Sequence, residues 1–427
     1  MQPFQQKRGP ALLITLLVIA LAACGGGGGG GGGSSGSPAD TPAESGQGGS
    51  SSSTASSVST LPATRSGGYA TTSGGELANM RKFEASTFEQ INTILASALL
   101  NDAGKKVKGG AYPVHITYTG NEDALIAQIV RDHTVDAQGN CPNPHWNDPY
   151  RYVEIKEFTA GVTIEGAPGS SANWGIVVNK SSDVIVRNMK IGALGGANND
   201  ADMIRIDSSQ NVWVDHNELF AVNNECNGSP EGDLTFESAI DIKKSAYDIT
   251  VSYNYIHDSK KVGLMGHTQK DGGTDFQRNI TYHHNIFENV NGRLPLQRGG
   301  WIHAYNNLYA RVTGSGINVR AGGIALIENN WFEDALNPLT CRFDTNGCGT
   351  WELRGNNVAS AADNARYGIR WDSPGSGGIN AEDWTSTGRF PTDKLTYGYV
   401  AQDIQCVKNG LHGVAGAGKG LATLSCN

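Results

Sequence analysis

Six segments of the chain end on the same phrase. Asn211-Val-Trp-Val-Asp-His-Asn217, Asp248-Ile-Thr-Val-Ser-Tyr-Asn254, Asn279-Ile-Thr-Tyr-His-His-Asn285, Trp301-Ile-His-Ala-Tyr-Asn-Asn307, Ile324-Ala-Leu-Ile-Glu-Asn-Asn330 and Thr350-Trp-Glu-Leu-Arg-Gly-Asn356 each run as a strand of alternating residues into an asparagine. Asp183-Val-Ile-Val-Arg-Asn188 reads as an earlier version, one residue shorter. The starts at 211, 248, 279, 301, 324 and 350 lie 37, 31, 22, 23 and 26 residues apart, so a unit near 22 carries insertions in its early copies. A fixed period of this kind marks stacked turns of chain.

A turn of about 22 residues is too short for a propeller blade and lacks the leucine spacing of a leucine-rich repeat. It fits one coil of a right-handed, single-stranded parallel β-helix, an all-β solenoid. Stacking places equivalent asparagines above one another, where their amides bond along the stack and tolerate the left-handed backbone of a tight turn. Ser86-Thr87-Phe88-Glu89 has capping-box spacing, and Phe88, Ile91, Ile94, Leu95 and Ala98 recur at helical intervals. This amphipathic helix is expected to cap the N-terminal end of the solenoid against edge-to-edge association. Insertions of a repeat map to loops on one face, so the long early coils are expected to build the binding site.

The first residues do not belong to that solenoid. Lys7 and Arg8 precede an apolar run from Ala11 to Ala23, which has the charge and length of an export signal rather than a spanning helix. Leu21-Ala22-Ala23-Cys24 resembles the lipobox of bacterial lipoproteins, in which Cys24 would be lipidated and become the first mature residue. From residue 24 to 66 the chain is almost wholly Gly, Ser, Ala, Thr and Pro, too poor in apolar groups to build a core. The expected organisation is a signal over 1–23, a flexible tether over 24–66 and a folded domain over 67–427. An exported protein on the outer membrane or cell surface, or else secreted, follows, touching membrane only through Cys24.

Six further cysteines, Cys141, Cys226, Cys341, Cys348, Cys406 and Cys426, form an even set, which reads as three disulfides in an exported chain. Proximity favours Cys341 with Cys348 and Cys406 with Cys426, leaving Cys141 for Cys226, although six cysteines allow fifteen pairings. No Cys-x-x-Cys with a matching pair speaks for zinc. A net charge of -8 argues against nucleic acid as a partner, and a monomer is expected.

Carboxylates gather in the two longest insertions. Asp200 and Asp202 precede one repeat strand, and Glu237 and Asp241 flank Ser-Ala-Ile on another. Residues i and i+4 of a strand share a face, so Glu237 and Asp241 would look out of one sheet as the hard oxygen ligands calcium requires. Of Lys243, Lys260, Lys261, Arg293, Arg298 and Arg320, five lie at or near corresponding parts of successive repeats, and the set would form a cationic stripe down the outside of the solenoid. Within it, Arg293-Leu-Pro-Leu-Gln-Arg298 sets two permanent cations on a segment stiffened by Pro295, with Gly299 and Gly300 behind it. Acids able to hold a metal, followed by a basic stripe, describe a groove for an extended polyanion.

Several of these segments together carry a resemblance. Val212-Trp-Val-Asp-His-Asn217, Asp241-Ile-Lys243, Lys260-Lys-Val-Gly-Leu264, Arg293-Leu-Pro-Leu-Gln-Arg298 and His303-Ala-Tyr-Asn-Asn307 resemble the signature segments of secreted bacterial pectate lyases, polysaccharide lyase family 1, and most of all those of soft-rot bacteria. The likeness is collinear from about residue 67 to 427. It implies a parallel β-helix that cleaves de-esterified homogalacturonan (polygalacturonate) by calcium-dependent β-elimination. By position, Asp200, Asp202, Glu237 and Asp241 would hold calcium, and Arg293 would take the C5 proton. Lys261 and Arg298 would bind uronate groups, Lys243 and Arg320 would extend the subsites, and Glu231 and Asp233 would help bind further calcium. By the same likeness Asp215 and His216 are packing residues rather than an acid/base pair. Arginine ordinarily stays protonated, with a pKa above ~12, so the assignment carries the expectation of an alkaline optimum.

Three other readings compete. A pectin lyase acting on methylesterified polymer without calcium should lack the four acids and have a groove richer in aromatics. A polygalacturonase needs a cluster of catalytic aspartates, and its usual motifs are missing. A tethered polysaccharide-binding protein without catalysis has no need of Arg293.

Overall fold

The structure, a computed structural model, describes residues 66–143, 149–195, 201–226, 235–267, 278–341, 347–372 and 384–426. All seven phrase segments become neighbouring strands of one ten-stranded sheet: Ser182–Arg187, Gln210–Asp215, Tyr247–Ser252, Arg278–His283, Trp301–Tyr305, Ile324–Glu328 and Thr350–Arg354. A six-stranded and an eight-stranded sheet complete the coils. The chain visits the three in turn: Gln210–Asp215 in the first, Glu218–Phe220 in the second, Ile240–Lys243 in the third, then Tyr247–Ser252 in the first again. Neighbouring strands run parallel, as a winding chain requires.

Winding sets like residues above like. Ile249 pairs with Ile280, Ile280 with Ile302 and Ile302 with Ala325, all fully buried. On the six-stranded sheet Phe287, Tyr309 and Phe332 form a column of rings with centroids 4.9 and 4.7 Å apart and planes within 7°. Such contacts contribute about 0.5–1.5 kcal/mol per pair beyond burial. β-branched and aromatic residues at alternate positions therefore do double duty, favouring strand locally and filling the bore of the solenoid.

The asparagines form the expected ladder. Asn217, Asn254, Asn285, Asn307 and Asn330 are all fully buried. Each donates its backbone N–H to the side-chain oxygen of the next, as Asn254 does to Asn285 at 3.0 Å. Each Nδ2 donates to that same oxygen and to a carbonyl at the end of the preceding coil's strand.

Two details differ from expectation. The left-handed residue is the one before the ladder asparagine: His216, Tyr253, His284, Asn306, Asn329 and Gly355 take φ between 48° and 57°. Asn188, at φ 53°, aligns with His216, because Arg187 pairs with Asp215. Met189 thus stands at the ladder position of that coil, and its N–H donates to Asn217 Oδ1.

The amphipathic helix forms as Phe88–Ala98, but its cap is one residue later than the spacing indicated. Thr87 accepts from Gln90 N–H, and Gln90 Oε1 accepts from Ser86 N–H at 2.7 Å. Its buried face, Ile91, Leu95 and Ala98, joins the main core. Helix Ile404–Val414 packs Val407 and Leu411 against the six-stranded sheet near Leu308 and Trp331. Disulfides join Cys141 to Cys226, Cys341 to Cys348 and Cys406 to Cys426, with Cα atoms 5.5, 5.3 and 5.9 Å apart. Among the described residues no helix is long and apolar enough to cross a membrane.

Candidate active site

The eight-stranded sheet carries the candidate site because it holds charged residues on its outward face, among them Asp241, Lys243, Arg298 and Arg320. In Ile240–Lys243 the two isoleucines are buried in the core and Asp241 and Lys243 point outward, the period-2 consequence of a strand. Arg298, from strand Leu296–Arg298, stands beside Arg320 of strand Ile317–Arg320. Arg293 lies at the corner where the chain leaves strand Ile286–Gly292 for this sheet, at φ 67° with a cis Leu294–Pro295 bond following. Its carbonyl accepts from Gly263 N–H at 2.9 Å, which ties the corner to the coil before it. Lys261 ends strand Tyr255–Lys261 and pairs with Gly292, so it is the corner neighbour of Arg293.

These cations converge. Lys260, Lys261, Arg293, Arg298 and Arg320 line one cavity of about 520 Å³, together with Asn291 and Asn318. The expected stripe is therefore a pocket for five of its six members, and Lys243 stands apart from it. Arg298 donates to the Gly266 carbonyl, and Arg320 donates through Nε to Asn318 Oδ1 at 2.9 Å. Arg293 has no side-chain hydrogen bond or ion pair among the described residues. Arg320 also lies in a bridge with Cys348, so the Cys341–Cys348 disulfide braces the wall behind it.

Lys243 instead serves the acids. Its Nζ lies 3.0 Å from Asp202 Oδ2 and 2.8 Å from Asp241 Oδ2, and both carboxylates are almost fully buried. Burial, reinforced by the charge of Asp241, pushes Asp202 well above the usual carboxylate range. Burial alone would pull Lys243 down, but the two aspartates more than offset it and hold its proton on. One ammonium cannot neutralise two buried carboxylates, so Asp202 holds its proton more tightly than an ordinary carboxyl unless a further positive charge is supplied. An all-oxygen pair in that condition fits a hard divalent cation.

Glu237 departs from its expected place. Strand Ile240–Lys243 begins three residues after it, so the same-face argument does not apply, and Glu237 lies in the corner ahead of the strand. Its carboxylate is 2.6 Å from Lys261 Nζ; burial raises its pKa against that partner. Accordingly, among the described residues no group of three or more His, Cys, Asp or Glu is gathered closely enough to hold a metal ion. Asp200, Glu231, Asp233 and Cys24 lie outside the described residues. Asp215 and His216 are buried on the ten-stranded sheet, bonded to each other at 2.7 Å and through His216 Nε2 to the Ala422 carbonyl.

Four residues near the site escaped the sequence reading. Tyr150 donates its hydroxyl to the Asp202 carbonyl at 2.8 Å, across Gly175, where an added Cβ would fall 2.5 Å from both atoms. Arg205 is in register with Asp241 on the neighbouring strand, and Asn318 faces the arginine cavity. Glu225 is buried beside the Cys141–Cys226 disulfide; its Oε2 accepts from Phe236 N–H at 3.1 Å, and its Oε1 has no hydrogen-bond partner among the described residues. Register across coils, not residue type, brings these together; only the adjacent Cys226 offered a signal.

Burial pushes Glu225 up to about 8. The folded protein therefore keeps a proton that the unfolded chain, with an ordinary value of about 4.3, has given up. Stability should fall as pH rises from about 4.3 towards about 8 and then level off. Thermal melts across that range should show a shallower decline for Glu225→Gln than for the wild type; parallel declines would refute the assignment.

A family model described as pectate lyase matches residues 52–420. The chain is 56% identical over 365 residues to pectate lyase C of Dickeya chrysanthemi, covering 86% of this chain and 93% of that one. To pectate lyase 2 of Pectobacterium carotovorum it is 54% identical over 363 residues, with coverages of 85% and 93%. The solved structure of pectate lyase C from Erwinia chrysanthemi at pH 9.5 with 30 mM Ca2+ superposes with a TM-score of 0.79 at 54% identity, covering 85% of this chain and 99% of that one. An arginine-to-lysine mutant of pectate lyase C in complex with pentagalacturonic acid gives a TM-score of 0.77 at the same identity and coverage. The coils are those of a right-handed parallel β-helix. With the fold, the arginine cavity and the extent of these matches in agreement, the chain belongs to the pectate lyase family.

Proposed function

We propose that this lyase cleaves polygalacturonate by calcium-dependent β-elimination, with Arg293 as the base. The observation that carries the reading is the cavity in which Arg293 meets Lys260, Lys261, Arg298 and Arg320, next to the buried Asp202 and Asp241 pair. The relatives named above, one of them solved with pentagalacturonic acid, support the substrate class.

Arg298 and Lys261 hold uronate carboxylates and neutralise charge as it develops on the sugar. Arg293, in its unprotonated form, accepts the C5 proton. The C5–H electron pair becomes the C4–C5 double bond, the C4–O4 bond breaks, and the departing O4 takes a proton from solvent. Arg320 binds a neighbouring uronate, while Lys243, which the resemblance would also place on substrate, is held by the carboxylates of Asp202 and Asp241. Asp202 and Asp241, with Asp200 and Glu237, would hold calcium, which supplies a divalent positive charge that acidifies C5 and offsets the growing dianion. Glu231 and Asp233 would contribute to further calcium bound with substrate. Because the base must be unprotonated, rates rise towards alkaline pH, and a clear acidic optimum would count against Arg293.

The measurement that tests this is ultraviolet absorbance of unsaturated ends, followed on polygalacturonate with and without a chelator. Chelation should cut the rate at least roughly 100-fold, and readdition of calcium should restore it. Reducing ends without absorbance would mean a hydrolase, and binding without products a polysaccharide-binding protein. Undiminished cleavage of methylesterified polymer under chelation would mean a pectin lyase. In the same reading the protein is exported, residues 1–23 are its signal, 24–66 its tether, and Cys24 its lipid anchor.

A further inference from the structure

The outward row of the eight-stranded sheet does not stop at Lys243. Lys243 pairs with Asp207, Asp207 with Asn179 and Asn179 with Lys156, so the row extends three strands beyond the acids, about 14 Å at ~4.8 Å per strand. Where it ends, Lys106, Lys108 and Lys180 line a concavity of about 600 Å³ in which Glu157 is the only acid among the described residues. Lys180 and Glu157 directly follow the last two strands of the row, and the backbone N–H of Lys180 donates to the Asp207 carbonyl at 3.0 Å. The concavity is therefore continuous with the row.

All three lysines are exposed, and none is paired with a carboxylate among the described residues. In a chain of net charge -8, three unpaired cations around one hollow make a local positive field against the overall one. We propose that this hollow is a distal anchoring site for the uronate chain, taking carboxylates of sugars well beyond the bond being cleaved. The inference rests on the substrate reading above. A pyranose unit advances a chain by roughly one strand spacing, so a trisaccharide seated among the arginines falls short of the hollow and a long polymer reaches it. Anchoring of this kind raises effective concentration without touching the chemistry.

The test is the triple variant Lys106→Gln, Lys108→Gln, Lys180→Gln, which alters only exposed side chains. On long polygalacturonate at low ionic strength, KM should rise roughly 3- to 10-fold with kcat unchanged, and the difference should shrink by about 0.5 M salt. Kinetics on trigalacturonate should not move. In affinity electrophoresis through gels containing polygalacturonate and a chelator, the variant should be retarded less than the wild type. An unchanged KM on polymer with unchanged retardation would overturn the site, as would an equal effect on trimer and polymer. Should the wild type yield no unsaturated product, the substrate reading falls and the electrophoretic arm still decides the anchoring site.

Discussion

Replacing Arg293 with lysine is expected to lower kcat on polygalacturonate by about 10²- to 10⁴-fold, equivalent to about 3–5 kcal/mol of barrier. KM and thermal stability should stay near wild type. Stability should hold because the fold uses the backbone of this residue, through the Gly263 N–H to Arg293 carbonyl bond, and not its guanidinium. Lysine is as tolerable as arginine at φ 67°, since both carry a Cβ. KM should hold because the ammonium keeps a cation in the cavity beside Lys260, Lys261, Arg298 and Arg320. What lysine lacks is the reach and planar geometry of the guanidinium. Loss of kcat alone therefore separates a base from an anion clamp, for which charge would suffice. Arg298→Gln is the contrasting case, with KM expected to rise because a uronate partner has gone. A fully active Arg293→Lys variant would remove Arg293 as the base.

The two arginines illustrate what could be read in advance. Residue types and spacing put Arg293 and Arg298 on one coil, and the period of the repeat put Arg320 on the next; both hold in the structure. Period-2 alternation sent Asp241 to the outer face as expected, but its expected companion Glu237 falls ahead of the strand. Contacts between coils were not legible, because they depend on which residue of each insertion meets its neighbour. The Lys243 bridge between Asp202 and Asp241, and the capture of Glu237 by Lys261, are of this kind. So is the hydroxyl of Tyr150 on the Asp202 carbonyl. The ladder was legible as a column of asparagines, but not which residue of its turn is left-handed. Asn, His, Tyr and Gly share that position, so composition gave no vote.

Asn285→Ala should cost about 4 kcal/mol or more of stability, measured by urea unfolding. Four side-chain hydrogen bonds vanish: two that Asn285 Oδ1 accepts from Asn254, and two that its Nδ2 donates to the Val251 carbonyl and to Asn307 Oδ1. Asn254 and Asn307 are as fully buried as Asn285, so water cannot replace the lost partners. The same change at Asn356 meets a different environment. That residue is only half-buried and, among the described residues, accepts from Asn330 alone and donates to the Ile327 carbonyl, with no further rung beyond it. Its loss should cost roughly 1–2 kcal/mol. In a solenoid, where each coil rests mainly on its neighbours, a break in the middle uncouples both directions and a break at the end only one. Equal costs at the two positions would mean that the amides act as independent local bonds rather than as a connected ladder. Arg293 lies eight residues beyond Asn285 on the same coil, so the middle break should also lower activity at temperatures below global unfolding, and the end break should not.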